Sequence, residues 1–157
     1  MWTIGSHGEQ DTRALGVALG AVVEEPVVVA LVGGLGAGKT CFAQGAGEGL
    51  GVEEPVVSPT FVLLAEYEGR LPLLHGDAYR LRPEEALGIG LEEQLETWPG
   101  LALLEWPERV PDALPVDHVR VVLHTTGPTA RRIEVTVTGP HHEALVARWR
   151  ARWESAT

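Results

Sequence analysis

Apolar positions along the chain change period several times, and each change marks an element. Leu15, Ala18, Leu19 and Val22 recur at helical spacing behind Ser6 and Glu9, a pair three residues apart that resembles a capping box. This predicts a first helix over about Glu9 to Val23, stopped by Pro26. Val27-Val28-Val29-Ala30-Leu31-Val32 is then apolar without alternation, the pattern of a central strand covered on both faces. A glycine-rich turn leads into a helix from about Lys39 to Leu50, with Gly51 as its C′ residue. Gly45, Gly47 and Gly49 would each weaken that helix by about 1 kcal/mol relative to alanine in its interior.

Further on, Phe61 to Tyr67 and Leu71 to His75 read as strands joined in a hairpin through Glu68-Gly69-Arg70. Pro83 suits the first position of a helix over Glu84 to Leu95, which Trp98-Pro99-Gly100 closes. Leu101-Ala102-Leu103-Leu104 is a second buried strand and ends in Glu105. Val119, Val121 and Leu123, and then Ile133, Val135 and Val137, alternate with polar residues on either side of Gly127-Pro128, which predicts an antiparallel pair with one wet face. Leu145, Val146, Trp149 and Trp153 make an amphipathic tail helix from His142 to Trp153, with the two tryptophans as core anchors. No repeat or linker interrupts the pattern. The whole predicts one α/β domain with a mixed parallel and antiparallel central sheet flanked by helices.

Composition narrows what such a domain does. Its 157 residues carry a net charge of −10, so the overall field repels polyanions and independent nucleic-acid binding is not expected. The longest apolar run, Val27 to Val32, is far short of the roughly 20 residues that span a bilayer, and no charged segment precedes an apolar one at the start. A cytosolic protein without membrane contact is expected. A single cysteine, Cys41, excludes an intrachain disulfide and a multi-cysteine zinc site. Asparagine does not occur, and Lys39 is the only lysine beside eleven arginines.

That lysine stands in Gly33-Gly34-Leu35-Gly36-Ala37-Gly38-Lys39-Thr40, which matches G-x-x-x-x-G-K-[ST] between a buried strand and a helix start. The spacing marks a P-loop NTPase domain. The backbone from Gly33 through Leu35, Gly36, Ala37 and Gly38 to Lys39, Thr40 and Cys41 is expected to cradle phosphates. Lys39 would bridge the β- and γ-phosphates and the Thr40 hydroxyl would ligate Mg²⁺. An arginine-only chain that keeps one lysine here points to a compact ammonium that a planar guanidinium cannot replace. Magnesium wants a further carboxylate at the end of another buried strand, and Asp77 and Glu105 are the candidates. Glu105 follows the cleaner apolar run and is assigned to the metal or its water shell; Asp77 is assigned to the attacking water or the hydration shell. Without asparagine, and with its one lysine in the loop, the chain lacks the Asn-Lys-x-Asp segment that reads guanine, so ATP is the expected nucleotide. Arg80 is either a charge stabiliser or a salt-bridged surface residue, and His75 either a strand-end hydrogen-bonding group or a catalytic one.

Leu35-Gly36-Ala37-Gly38-Lys39-Thr40, Ser58-Pro59-Thr60-Phe61, His75-Gly76-Asp77-Ala78-Tyr79-Arg80 and Glu105-Trp106-Pro107-Glu108 stand in an order and spacing that resembles the TsaE (YjeE) family. These are small bacterial P-loop ATPases required for threonylcarbamoyladenosine formation in tRNA. The likeness runs from about Thr12 to Arg109. It implies that Ser58-Pro59-Thr60 is a switch-like loop near the γ-phosphate, that His75, Asp77, Tyr79 and Arg80 form the active-site segment, that Glu105 is the Mg²⁺ ligand, that Thr60, Asp77 and Glu105 are the catalytic residues, and that Thr12 and Trp106 border the nucleotide. Gly34 stands where an acidic residue is common and Cys41 where Thr is common, both at variable places of the motif. The implied function is an ATPase that resets a complex of the TsaD and TsaB proteins, reaching tRNA only through them. A small-molecule P-loop kinase and a nucleotide-gated adaptor without significant hydrolysis are the alternatives.

Overall fold

The computed structural model describes residues 1–57 and 64–156. Its strands are β1 (Trp2–Ser6), β2 (Val27–Val32), β3 (Leu64–Tyr67), β4 (Leu73–Asp77), β5 (Leu101–Glu105), β6 (His118–Thr125) and β7 (Arg131–Thr138). Its helices are α1 (Glu9–Val22), α2 (Lys39–Gly49), α3 (Pro83–Gly88), α4 (Leu91–Thr97) and α5 (Glu143–Ala156), with 3₁₀ turns at Pro107–Arg109 and Pro111–Ala113. All strands join one sheet in the order β1-β7-β6-β2-β5-β4-β3. The centre is parallel, because β2 pairs in the same direction with β5 and β6, and β5 with β4. Both sides are antiparallel, through β1 with β7 and β6 with β7 on one and β3 with β4 on the other.

The unbroken apolar runs of β2 and β5 divide between two cores. Val27, Val29, Leu31, Leu101 and Leu103 face the larger one, shared with α1, α2 and α5. Val28, Ala102 and Leu104 face the smaller one, filled by Ala86 of α3, Leu91 and Leu95 of α4, and neighbouring loops. A strand that must feed both cores has no polar alternation to show.

Helices α1 and α2 touch backbone to backbone. A Cβ added to Gly45 would run into the Arg13 carbonyl, one on Gly49 into that of Val17, and ones on Gly16 and Gly20 into those of Phe42 and Ala46. Two of the glycines that cost α2 its intrinsic propensity, Gly45 and Gly49, are what let the two helices approach. Behind them α5 docks Trp149, which is fully buried and donates its Nε1–H to the Leu15 carbonyl at 3.0 Å. The Trp2 ring meets it edge-on at 5.2 Å and Phe42 lies at 5.9 Å. Trp153 is partly buried against the same core.

One strand was not anticipated, and three local expectations are corrected. The first residues form β1, where Trp2, Ile4 and Ser6 point inward against β7 although five residues at a chain start give too short a pattern to read. Ser6 and Glu9 form no capping box. Gly8 is the N-cap of α1, the Ser6 hydroxyl shares a 2.8 Å hydrogen bond with the Thr12 hydroxyl, and His7 N–H donates to Asp11 Oδ2. The helix expected over Glu84 to Leu95 breaks at Gly90, whose φ of 67° ends α3 and starts α4. The described part of Phe61 to Tyr67 is β3; the strand expected over Leu71 to His75 is shifted to Leu73–Asp77, which brings Asp77 onto the strand end. No helix among the described residues is long and apolar enough to cross a membrane.

Candidate active site

The loop between β2 and α2 has the backbone its glycines foretell. Gly36 and Gly38 have φ of 77° and 107°, values that L side chains rarely adopt, and Gly38 serves as the N-cap of α2. Gly33 is fixed by space, since a Cβ there would stand 3.0 Å from both Ala37 Cβ and the Leu123 carbonyl oxygen. Helix α2 therefore starts at Lys39 with its first N–H groups directed at the loop's mouth, where an anion gains from their partial charge.

The strands deliver the acidic side. Asp77 and Glu105 close β4 and β5 and are paired partners in the parallel ladder, so both side chains leave the same face at the same height. Glu105 is buried and lies beside the loop, with its Oε2 3.5 Å from Thr40 Oγ1. His75, fully buried two residues before Asp77, donates from Nε2 to the same Oε2 at 2.6 Å. His75 Nδ1 is buried without a hydrogen-bond partner among the described residues. Asp77 is more open, and its Oδ1 accepts the Tyr79 N–H at 2.9 Å.

Lys39 joins the two sides. It is only 5% exposed, donates from Nζ to the Gly33 carbonyl at 2.6 Å, and lies 3.6 Å from the centroid of the Trp106 ring. Burial pushes its ammonium below the ordinary lysine range, and the carboxylates of Glu105, Glu108 and Asp77 push back. Trp106, directly after β5, has φ of 58°, the one non-glycine residue with positive φ among those described, and its ring stacks obliquely on Tyr79 at 4.8 Å. A bulky residue held there just before Pro107 is strained backbone at the rim of the cleft.

These groups line a cleft of about 960 Å³, the size of a small-molecule site. Leu35, Gly36, Ala37, Gly38, Lys39, Thr40, Cys41, Asp77, Glu105 and Trp106 all contribute to its wall, together with Glu9, Gln10, Arg13 and Gln44 from α1 and α2. Cys41 donates its thiol to the Glu9 carbonyl at 3.2 Å, and burial raises its pKa. Thr12 sits behind the loop instead of on this wall, with its methyl group against Gly38. Arg80 lies on the wall and is exposed. Ser58, Pro59 and Thr60 lie outside the described residues. The oxygen donors of Thr40 and Glu105 are hard and few, and no cluster of three or more His, Cys, Asp or Glu side chains exists among the described residues. Such a pair suits Mg²⁺, which keeps most of its shell for water and phosphate oxygen.

Two features carry no sequence signal. The commitment of His75 to Glu105 needs the parallel register of β4 and β5. Arg131, at the start of β7, donates to the carbonyls of Gly36 and Ala37 in the loop from 94 residues or more away.

The family model described as "Threonylcarbamoyl adenosine biosynthesis protein TsaE" matches residues 6–133. A protein of Nostoc sp. named tRNA threonylcarbamoyladenosine biosynthesis protein TsaE is 45% identical over 132 residues, covering 82% of this chain and 81% of its own length. A protein of the same name from Bacillus subtilis is 37% identical over 137 residues, covering 87% and 85%. The crystal structure of Bacillus subtilis YdiB superposes with a TM-score of 0.81 at 32% identity, over 96% of this chain and 94% of that one.

Proposed function

The chain belongs to the TsaE family, which serves tRNA threonylcarbamoyladenosine biosynthesis, and on that premise we propose that it is an ATPase acting on the TsaB–TsaD complex to reset it between cycles. The observation that supports this best is the convergence of Lys39, Thr40 and the His75-anchored Glu105 on the mouth of the glycine-rich loop.

Each residue then has a part in hydrolysis. The loop's N–H groups and the start of α2 hold the β-phosphate, and Lys39 places its ammonium between the β- and γ-phosphates. Thr40 and Glu105 would hold Mg²⁺, which when bound neutralises charge growing on the phosphate oxygens. His75 keeps the Glu105 carboxylate turned toward Thr40. Asp77, on the same face but more open, orients the attacking water or the hydration shell. Catalysis of this kind is mostly positioning and electrostatics, so prearranged groups suffice. The net charge of −10 supports access to tRNA through the partners instead of by direct contact, and a place in the cytoplasm follows from that work.

A steady-state ATPase assay with and without the TsaB–TsaD pair tests this reading. Slow turnover alone and clear stimulation by the pair are expected. Equal rates would leave an autonomous ATPase, rates near zero in both a nucleotide-gated adaptor, and acceleration of ADP release by an added hydroxyl acceptor a kinase.

A further inference from the structure

Among the described residues the guanidinium of Arg131 makes four hydrogen bonds, all to main-chain carbonyls, and it takes no part in the chemistry described so far. Nε donates to Ala37 O at 3.0 Å and Nη2 to Gly36 O at 3.0 Å, both inside the glycine-rich loop. Nη1 donates to Gly127 O at 3.1 Å and Ala130 O at 2.8 Å, in the turn that joins β6 to β7. One planar group thus clamps two loops that lie far apart in sequence.

A peptide unit is rigid, so fixing its C=O fixes the N–H on its other side. Holding Ala37 O aims the Gly38 N–H away from Arg131. The preceding unit is held at both ends, by Arg131 at Gly36 O and by Gly34 O, which accepts the Ala37 N–H at 3.2 Å. These units lie between Gly36 and Gly38, the loop's two positive-φ glycines, where the backbone is otherwise freest to wander. We propose that Arg131 is the positioning residue of the phosphate loop. It holds two consecutive peptide units in the shape that receives an anion, and so sets nucleotide affinity through the backbone without touching the nucleotide. The ordering that phosphate would otherwise have to impose on a glycine-rich loop is already in place. Lysine cannot substitute, because a single ammonium does not present the planar fork that reaches both carbonyls and the turn behind.

This inference rests on the ATP-binding reading, and the experiment separates the two. ADP and ATP are titrated calorimetrically into the parent chain, Arg131→Gln and Arg131→Lys, with thermal unfolding and amide hydrogen exchange recorded without nucleotide. Arg131→Gln is expected to raise the ADP dissociation constant by about tenfold, the effect of losing one or two charge-assisted hydrogen bonds. Arg131→Lys should recover less than half of that loss, and in both variants KM for ATP should rise by a larger factor than kcat falls. Amides of residues 36–38 should exchange faster, with those of β2 little changed. If Arg131→Gln does not fold, Arg131→Lys and its exchange pattern still decide. A lowered unfolding temperature with parental ADP affinity in the folded fraction would reduce Arg131 to a tie between loops and overturn the inference, as would full recovery by lysine. A parent chain that binds no nucleotide removes the ATP reading and this inference together, whereas binding by the parent that the variants match removes this inference alone.

Discussion

Where α1 meets α2, Gly16 and Gly20 oppose the second helix and Gly45 and Gly49 the first so closely that no β-carbon fits at any of the four. At the ends of β2, β4 and β5 the same chain buries an ammonium, a carboxylate and an imidazole with a nitrogen unpartnered among the described residues, and holds a tryptophan in left-handed backbone. The helix contact gives up side chains for close packing. The strand ends accept desolvation and strain for a site open on one side. Substitutions should therefore divide: in the helix contact they should act on stability, and at the strand ends on activity, sometimes with a gain in stability.

Lys39→Met tests that division with the largest effect. Turnover should fall by about 10²- to 10³-fold, the usual loss when a preorganised electrostatic group is removed, and Lys39→Arg should not restore it. The unfolding temperature without nucleotide should stay at or above the parental one, because burial disfavours the lysine's charge. The sign with pH follows. Folded Lys39 has a lower pKa than its unfolded value of 10.5, so between the two the unfolded chain binds more protons and stability rises with pH. Denaturation curves across that window should show the rise in the parent and not in Lys39→Met. A variant less stable than the parent at neutral pH would place the lysine among the groups that hold the fold.

Gly45→Ala should do the reverse. Helix propensity alone predicts a gain of about 1 kcal/mol. The collision with the Arg13 carbonyl should outweigh it and leave a net loss of about 2 kcal/mol, within the range of overpacked cores. Urea unfolding measures the loss, and ATP turnover per folded molecule should stay near the parental value. A stabilised Gly45→Ala would mean that the helices separate at little cost.

The sign of that prediction also shows what the sequence could disclose. Gly45 and Gly49 look like weak points because propensity belongs to one helix, while their use depends on a second helix not adjacent to them in sequence. The shape of the loop from Gly33 to Thr40 was legible because the motif is contiguous, and the strand-end positions of Asp77 and Glu105 because each follows an apolar run. The pairing of His75 with Glu105 needed the register of two strands. Arg131 was illegible for a deeper reason: its acceptors are carbonyls, which every residue has. The break at Gly90 was visible as Gly88-Ile89-Gly90, but the helical spacing of Leu91 and Leu95 on either reading hid it.

Within the strand ends the two carboxylates can be told apart. Glu105→Gln should raise the Mg²⁺ concentration for half-maximal turnover by about tenfold, in line with losses of metal affinity when supporting ligands are altered. Asp77→Asn should lower kcat with a smaller change in Mg²⁺ requirement, since it is assigned to water and not to the metal. Nucleotide binding without Mg²⁺ should survive both, because the loop backbone is untouched. Should the Mg²⁺ requirement follow Asp77 and ignore Glu105, the two roles exchange.

The smallest effect isolates the strained backbone. Trp106 has φ of 58° and ψ of 47° and precedes Pro107, so it is disfavoured both by its own β-carbon and by the proline ring. Trp106→Ala and Trp106→Gly lose the same indole contacts with Lys39 and Tyr79, and they differ in whether a β-carbon remains. At an ordinary position alanine is the more stable of the two. Here glycine should be more stable by about 1 kcal/mol, the usual penalty for a β-carbon in left-handed backbone. Thermal unfolding of the pair reads this difference directly, free of the common loss of the ring. The opposite order would mean that the backbone relaxes once the indole is gone. The strain would then be imposed by the ring's contacts with Lys39 and Tyr79, and not by the turn from β5 into Pro107.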